Sequence, residues 1–501
     1  MATVDSRLRT APNGLRVVSG ELACIAVLGA VLAVAIPTSA DPDLWGHVRF
    51  GQVALAAGEL PDADPFSFTN DRAWINHEWL AEVAMAAAFQ AQGGAGLVAL
   101  KALLVILAMG LAAWTLRPPG ASGRWSLLAL LFVGLAGVFP LTVTFRPQVF
   151  SILFFVAEFV VLVTALSRPV VLWALPPLFL VWANIHGGWL VGGAVLGVWA
   201  AMRAADRDAT GIERRVLAAV AAASIVATLA TPYGVDLWGF LRDTIGMTRA
   251  DIPEWGPLVD HPELIVPWLL TCAVATTAAA HAGRVGRPAL AVALVLAALS
   301  ANVGRLVPFF SLAVGLGLVP LALRPPVPCR SPRHTLLRYV ALVVAGATLA
   351  VGLTLAQRRA LACIPPAPTL VLDPAAGAFL AANRLQGRLA VWFDWGQYAI
   401  WHFGPRLKVS IDGRRETVYS ARVLERHLAL YAGAGVARAY LDELSPDYVW
   451  LPRALPVATS LDGWGYRRIF ESQHSVVWTT AADPRSYAAS RMPAAACFPG
   501  P

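Results

Sequence analysis

Apolar residues in this chain fall into long blocks rather than into the short periodic patterns of water-soluble helices and strands. The blocks run for roughly 17–22 residues, the length that an α-helix needs to cross a hydrocarbon layer of about 30 Å. We count about eleven such blocks, at residues 20–38, 95–116, 125–143, 147–167, 169–183, 188–204, 215–231, 263–281, 288–303, 306–323 and 337–356. The pattern predicts a mainly α-helical, polytopic membrane bundle of about eleven spans.

The composition agrees with a chain that lies mostly in lipid. Hydrophobic residues make up 57% of the sequence and charged residues 14%, at a mean hydropathy of +0.61, whereas soluble proteins carry about a quarter charged residues. The net charge of +8 comes from arginines in the short loops, a pattern that sets membrane topology and does not indicate nucleic-acid binding. The alternation of these loops predicts a multi-pass protein of the bacterial inner membrane with a cytoplasmic N-terminus.

The chain changes character near residue 363. Residues 1–363 carry the apolar blocks, and the first block is more typical of an uncleaved span than of a cleavable signal. Residues 364–501 alternate strand-like and helical segments, which predicts a small extracytoplasmic α/β domain. Its predicted elements are helices near 375–383, 396–401 and 422–432, strands near 389–393, 408–411 and 448–451, and a hairpin across 466–470 and 475–479. The five cysteines show no metal-ligand spacing, so the sequence indicates neither a zinc site nor a disulfide framework.

Unusual polar segments all fall on the predicted outer face. They are residues 41–47, 76–79, 146–148, 184–188, 231–234 and 302–305. Ionisable residues at membrane depth are costly, so their collection on one side predicts a single functional site there. The alternative is that these residues are loop caps, helix breaks and interfacial anchors.

The first outer loop, residues 39–94, is much longer than a simple connection, and such loops are usually functional. Apolar positions between Asp43 and Gly58 predict a helix that lies at the membrane interface, with Asp41 or Asp43 as its cap. A second helix is predicted from Asn76 to the glycine-rich stretch at 93–96.

This arrangement resembles the GT-C superfamily of integral-membrane glycosyltransferases, and most of all the branch with the protein O-mannosyltransferases and lipid A aminoarabinose transferases. Asp43, His47 and the step Ala57-Gly58-Glu59 match the spacing of that branch in its first loop. Leu44 stands where a second acidic residue often follows the catalytic one. The motifs at 41–45, 64–69 and 76–80 also recur in uncharacterised bacterial multi-span proteins. The resemblance implies inverting transfer of a sugar from a polyprenyl-phosphate carrier to an outer glycan, lipid or protein acceptor.

Such a reaction needs a general base and a cation for the leaving phosphate. Asp43 is the first candidate for the catalytic base and Asp41 the second, although the two carboxylates could instead share a proton, hold a divalent cation or cap the helix. Arg146 and Arg305 are the candidate phosphate-binding cations, with snorkelling to lipid headgroups as the alternative role.

Three further residues are candidates for substrate binding together with His47. His77 and Glu78 could orient the acceptor or complete a metal site, and His186 could act there or as a partner of a helix end. No residue is assigned as a metal ligand, and no cofactor other than a divalent cation is considered. Residues 231–263 could close over the acceptor as a lid.

Two clusters in the tail, at 394–396 and at 412–416 with Tyr419, could hold a sugar, but a turn with an internal salt bridge is the favoured interpretation. No nucleotide-binding loop or nucleophile elbow is present in the sequence. Two other functions stay open: a transporter or flippase of an amphiphilic envelope precursor, and a non-catalytic envelope scaffold.

Overall fold

The computed structural model describes residues 13–61, 63–116, 123–245, 252–323, 363–433, 435–480, 482–489 and 497–500. The helices before the tail are α1 (Asn13–Ala35), α2 (Asp43–Ala57), α3 (Trp79–Thr115), α4 (Gly123–Phe132), α5 (Gln148–Ala165), α6 (Leu175–Ala183), α7 (Trp189–Ala205), α8 (Gly211–Ala227), α9 (Val235–Ile245), α10 (Pro262–Ala282), α11 (Arg287–Asn302), α12 (Val307–Ala313) and α13 (Val319–Ala322). A π-helical segment follows α4, and another joins α12 to α13.

The predicted count of about eleven spans is not confirmed. Within the described residues, five helical segments are long and apolar enough to cross a membrane: Trp79–Thr115, Gly123–Leu141, Gln148–Ala165, Pro262–Asn302 and Gly304–Ala322. Three shorter apolar helices, Cys24–Ala35, Pro169–Ala183 and Trp189–Ala205, accompany them. The block at 337–356 lies outside the described residues.

Helix breakers and merged segments account for much of this difference. The blocks at 263–281 and 288–303 form one apolar helical segment, interrupted only by the turn at Gly283–Gly286. The block at 169–183 begins with a 3₁₀ helix, Pro169–Ala174, and only the rest of it is α-helical. Proline has no backbone N–H and is tolerated at the start of a helix, so Pro169 marks the beginning of this segment. Apolar content alone therefore overstates the number of full-length spans.

The first outer loop contains the two helices that the sequence predicts. Helix α2 ends at Gly58, which has a φ of +72° and whose N–H donates to Ala54 O, a left-handed cap that glycine adopts without strain. Helix α3 is broken at Gln92 and Gly93, so its first part belongs to the loop and its second part to the bundle. The two loop helices approach closely, because a Cβ at Gly51 would lie 2.0 Å from Glu82 O.

The tail contains a five-stranded sheet of β1 (Gly387–Val391), β2 (Leu407–Val409), β3 (Tyr448–Pro452), β4 (Tyr466–Glu471) and β5 (Ser475–Thr480). The strand order is β2-β1-β3-β5-β4, with β1 parallel to both of its neighbours and the remaining pairs antiparallel. Its helices are α14 (Pro374–Ala382), α15 (Gly396–Phe403), α16 (Ala421–Tyr431) and α17 (Ala437–Leu444). The predicted alternation of strands and helices is confirmed, and α17 was not predicted.

A disulfide between Cys363 and Cys497 corrects the expectation that the cysteines form no crosslink. It spans 134 residues and joins the two ends of the tail. Spacing reasoning misses one long-range pair among five cysteines, because such a pair leaves no local pattern.

The tail packs directly on the first outer loop. Ala40 N–H donates to Pro365 O (2.8 Å), and Ala367 N–H donates to Ala40 O (2.7 Å). The indole of Trp45 donates to Pro499 O at 2.7 Å and packs edge-on against Phe498. The start of α2 is therefore held by the tail as well as by the bundle.

Candidate functional site

A cavity of about 820 Å³ lies between the first outer loop, the outer ends of the bundle helices and the tail. Every candidate site residue except Asp41 lines it, namely Asp43, His47, His77, Glu78, Arg146, His186 and Arg305. Five of the six polar segments therefore contribute to this cavity, whereas the segment at 231–234 does not line it.

Asp41 does not line the cavity, and both of its carboxylate oxygens accept hydrogen bonds. One of its carboxylate oxygens accepts hydrogen bonds from the backbone N–H groups of Asp43 (3.2 Å) and Leu44 (3.1 Å), so it caps α2. Its other oxygen accepts from Arg146 Nε. Asp41 therefore helps to position the start of α2 and Arg146, and it does not line the cavity itself.

Asp43 is the first residue of α2 and faces the cavity. Its carboxylate lies 3.3 Å from Arg146 Nη2, and burial raises its pKa to about 6 although Arg146 opposes the shift. The tail approaches the carboxylate closely, since a Cβ at Gly413 would lie 2.1 Å from Asp43 Oδ1. Only glycine fits at position 413 without displacing that carboxylate.

Two guanidinium groups stand on the same side of the cavity. Arg146 contacts Asp41 and Asp43, and although burial disfavours its charge, these two carboxylates raise its pKa above the ordinary value. Arg146 Nη1 and Arg305 Nη1 lie 3.5 Å and 2.8 Å from the same oxygen of Glu254. One carboxylate oxygen therefore occupies the space between two cations, which is also a suitable place for a phosphate oxygen.

A second cluster is made of histidine and glutamate side chains. His47 Nδ1 lies 3.0 Å from Glu82 Oε1 and 3.9 Å from Glu78 Oε2. Burial alone disfavours a charged imidazole, but the hydrogen bond to Glu82 and the nearby carboxylates raise the pKa of His47 to about 9. Burial would raise the pKa of Glu78, yet the electrostatic effects of His77, His47 and Arg305 lower it. At neutral pH the cluster thus pairs a protonated His47 with ionised Glu78.

His186 has a defined tautomer. Its Nδ1 accepts a hydrogen bond from the Gly188 N–H at 2.9 Å and lies 2.8 Å from Ser151 Oγ. The proton of the neutral ring is therefore on Nε2, which lies 3.6 Å from Glu78 Oε1. Burial lowers the pKa of His186 to about 4, so the ring is neutral and points an N–H group toward the cavity.

One set of side chains in the described residues has the geometry to bind a metal ion. Ligand atoms of His47, Glu78 and Glu82 all lie within 4.8 Å of one another. One imidazole and two carboxylates suit a transition metal or zinc. In the structure the same atoms already bind each other, because Glu82 accepts from His47 and from Asn76 Nδ2 (2.6 Å).

The tail supplies the opposite wall of the cavity. Arg414 forms a two-pronged ion pair with Asp64 of the first outer loop (2.7 and 2.9 Å) and also binds Asp412, which accepts from Tyr419 OH at 2.6 Å. The predicted turn with an internal salt bridge is therefore present. Of the other predicted cluster, residues 394–396, Asp394 lines the cavity, together with Trp392 and Phe393 just before it.

Sequence reasoning missed several residues of the site. Glu82 lies one turn after Glu78 on the predicted loop helix, which was a usable signal. Glu254 and Trp255 fall in the segment that was predicted as a lid, and both line the cavity. The ion pair between Asp64 and Arg414 joins residues that are 350 positions apart, so no local pattern points to it.

The sequence matches no protein-family model and no curated protein. Its structure is similar to two solved structures, each at low sequence identity. The crystal structure of an oligosaccharyltransferase from Archaeoglobus fulgidus, in the apo form, aligns with a TM-score of 0.54 and 11% identity over 86% of this chain and 69% of the other. The structure of ArnT from Cupriavidus metallidurans, bound to undecaprenyl phosphate, aligns with a TM-score of 0.50 and 15% identity over 95% of this chain and 100% of the other.

Identities this low carry the fold and no more. The likeness supports the predicted GT-C-like fold, and it does not resolve the particular branch. The chain thus shares the fold of these two structures, has five described helical segments long and apolar enough to cross a membrane, and carries a small C-terminal sheet.

Proposed function

We propose that this protein is a glycosyltransferase that moves a sugar from a polyprenyl-phosphate carrier to an acceptor hydroxyl or amine. One observation carries the proposal: the cavity holds a partly buried carboxylate, Asp43, 3.3 Å from Arg146 Nη2, and Arg305 lines the same cavity. A base and a pair of phosphate-binding cations are what transfer from a phosphate leaving group requires. The undecaprenyl phosphate bound to ArnT supports a lipid of that class.

In the proposed reaction, the acceptor oxygen or nitrogen attacks the anomeric carbon while the bond from that carbon to the phosphate oxygen breaks. The acceptor proton passes to an oxygen of Asp43, and the electron pair of the broken bond stays on the polyprenyl phosphate. A single displacement of this kind inverts the anomeric configuration. A pKa raised toward neutrality suits Asp43 to accept a proton and release it again.

Arg146 and Arg305 stabilise the charge that develops on the leaving phosphate. A guanidinium group offers parallel N–H donors that match phosphate oxygens. Glu254 holds that position without the donor, because it contacts both arginines through one oxygen. His77, Glu78 and the N–H of His186 face the same space and orient the acceptor, while His47 fixes Glu78 and Glu82.

The proposed orientation places the site on the extracytoplasmic face of the bacterial inner membrane, with the N-terminus in the cytoplasm. The arginine-rich loops support this topology. The disulfide between Cys363 and Cys497 supports it independently, since such bonds persist in oxidising compartments. The acceptor is then a glycan, lipid or protein on that side.

The direct test uses the full-length protein in lipid nanodiscs with undecaprenyl-phosphate-linked sugars and a panel of envelope acceptors. The proposal expects release of undecaprenyl phosphate coupled to a product of inverted configuration, measured by NMR. Retention of configuration would reject the single displacement. A flippase would instead move the lipid-linked sugar across a vesicle membrane without cleaving it, and a scaffold would do neither.

The rate should depend on pH through Asp43. The carboxylate must be ionised to accept the proton, so lowering the pH through its pKa of about 6 removes the active form. Arg146, Asp41, His47 and Glu78 are the charged groups that act on it. We expect kcat/KM for the acceptor to fall about tenfold per pH unit on the acid side of that value. A profile that stays flat down to about pH 4.5 would contradict the role of Asp43 as base.

Removing the negative charge of Glu254 should strengthen donor binding. Because this half-exposed carboxylate competes with phosphate for the two arginines, we expect Glu254→Gln to lower the Kd for undecaprenyl phosphate about three- to tenfold. Native mass spectrometry in nanodiscs measures the change. Glu263→Gln is the matched control, since Glu263 is an exposed carboxylate of the same segment that pairs with His261. Weaker binding in Glu254→Gln would mean that Glu254 helps to hold the donor.

A further inference from the structure

Lys101 is a buried cationic side chain that the proposed reaction does not use. It lies in the membrane part of α3 with 0% of its surface exposed. Among the described residues it forms no ion pair with a carboxylate. Placing such a side chain inside a membrane bundle is costly, and residues of this kind are usually retained for a purpose.

The hydrogen bonds of Lys101 join two separate chain segments. Its Nζ donates to Pro37 O (3.1 Å), just after α1, and to Thr142 O (2.8 Å), just before the segment that carries Arg146. Both acceptors are backbone carbonyls at helix ends, which lack partners within their own helices. The lysine therefore fixes backbone positions, and its effect does not depend on the side chains of Pro37 or Thr142.

The two segments continue side by side from Lys101 to the cavity. Ser39 N–H donates to Val143 O at 3.1 Å, and Ser39 forms a parallel bridge with Thr144. Two residues farther on, Asp41 pairs with Arg146. A constant offset of 105 residues relates the paired positions: 37 and 142, which Lys101 joins, then 39 and 144, and then 41 and 146. Lys101 lies at one end of this paired stretch, and the ion pair between Asp41 and Arg146 lies at the other end.

The register decides which groups meet at the site. Asp41 caps α2 and so sets the position of Asp43, while Arg146 contacts both carboxylates. A slip by one residue would turn the Arg146 side chain to the opposite face of its segment, because side chains alternate in extended pairs. In the described part of the chain, the backbone link between Lys101 and the ion pair along these segments is the bridge of Ser39 with Thr144, which includes the hydrogen bond from Ser39 N–H to Val143 O.

We propose that Lys101 is a positioning residue that fixes the register of residues 37–41 against residues 142–146, and thereby holds Arg146 on Asp41 and Asp43. Its consequence for catalysis rests on the proposed function, but its effect on the register does not. A lysine that only capped two helix ends would stabilise the bundle without controlling which residues pair.

The first measurement reports the register without any assay of sugar transfer. Cysteines replace Ser39 and Thr144 in a background that carries Cys24→Ala, Cys272→Ala and Cys329→Ala, and oxidative crosslinking is scored in native membranes. A second reporter, Ser39→Cys with Thr142→Cys, detects a slip by two residues. We expect efficient crosslinking of the first pair in the Lys101 protein. Adding Lys101→Met should reduce crosslinking between positions 39 and 144 severalfold and increase crosslinking between positions 39 and 142. Lys101→Arg should keep the crosslinking pattern of the parent protein.

The second measurement is the binding of undecaprenyl phosphate in nanodiscs. Displacing Arg146 removes a charge-assisted contact with phosphate, so Lys101→Met should raise the Kd by about tenfold or more. Thr271→Val is the control, because Thr271 is a buried membrane residue that bonds Pro267 O and Ser311 Oγ away from the cavity. It should leave both crosslinking and binding unchanged.

The outcomes separate the two proposals. Unchanged crosslinking in Lys101→Met would overturn the positioning role whatever the protein does. A shifted crosslink in a protein whose parent form does not bind undecaprenyl phosphate would support the positioning role and count against the proposed function. Because crosslinks are scored before extraction from the membrane, a variant that is unstable in detergent still gives a result.

Discussion

Asp43→Asn is expected to slow sugar transfer by about a thousandfold, since general base catalysis contributes roughly 10²–10⁴ to such rates. Asparagine has nearly the same shape and can still accept a hydrogen bond from Arg146, but it cannot take the acceptor proton. Arg146 keeps its contact with Asp41 in this variant. We therefore expect the loss in kcat, with the Kd for undecaprenyl phosphate changed by less than about threefold.

The control for this substitution is Asp71→Asn. Asp71 lies on the same outer loop and accepts from the backbone N–H and hydroxyl of Ser420 at an exposed position. We expect the Asp71→Asn protein to transfer sugar at the rate of the parent protein. If Asp43→Asn keeps more than about a tenth of the rate, the base lies elsewhere. A loss of donor binding equal to the loss of rate would instead make Asp43 a residue of the binding surface.

Arg305→Gln is expected to lower the transfer rate by about a hundredfold, the range for removing one group that stabilises developing charge. Arg305 is the cleaner arginine to change, because its acidic partner Glu254 is half exposed and its other partner is the neutral Gln148. Replacing Arg146 would leave Asp41 and Asp43 unpaired and would disturb the fold itself. Transfer rates and donor Kd values in nanodiscs measure the effect.

Arg305→Lys separates charge from shape. Lysine keeps the positive charge without the planar pair of donors, so about a tenfold loss is expected. Arg242→Gln is the matched control on α9, where the guanidinium is exposed and pairs with Asp243. Equal activity of Arg305→Gln and the parent protein would show that Arg305 lies outside the reaction and supports another function of this outer surface.

Local elements were predictable where one residue type dictates the backbone. The helix predicted to start at Asp43 and stop at Gly58 is α2, since glycine alone takes the left-handed cap without strain. The kink near Gly93 and the strands of the tail were likewise readable from glycine position and β-branched or aromatic runs. The number of membrane spans could not be predicted in this way, because length and hydropathy do not distinguish a full crossing from a helix that a turn or a proline interrupts.

The sequence could predict which residues line the cavity better than it could predict their arrangement. A one-sided distribution of costly polar residues placed Arg146, His186 and Arg305 with the first loop, and all of them line the cavity. The wall that the tail provides could not be foreseen, since Gly413 and Gln397 reach α2 only through tertiary packing. The partnership of Asp41 with Arg146 also depends on a register that no local pattern encodes.

The hydrogen bond from Trp45 to Pro499 has a consequence for the order of assembly. It spans 454 residues, and the disulfide anchors its far side to Cys363. Contacts of such separation form late in folding, because the loops between them must close first. A nascent chain that has already inserted its helices would carry Asp43 on a segment without its final support. The cavity wall around Asp43 would then reach its final form only after Cys363 and Cys497 are oxidised.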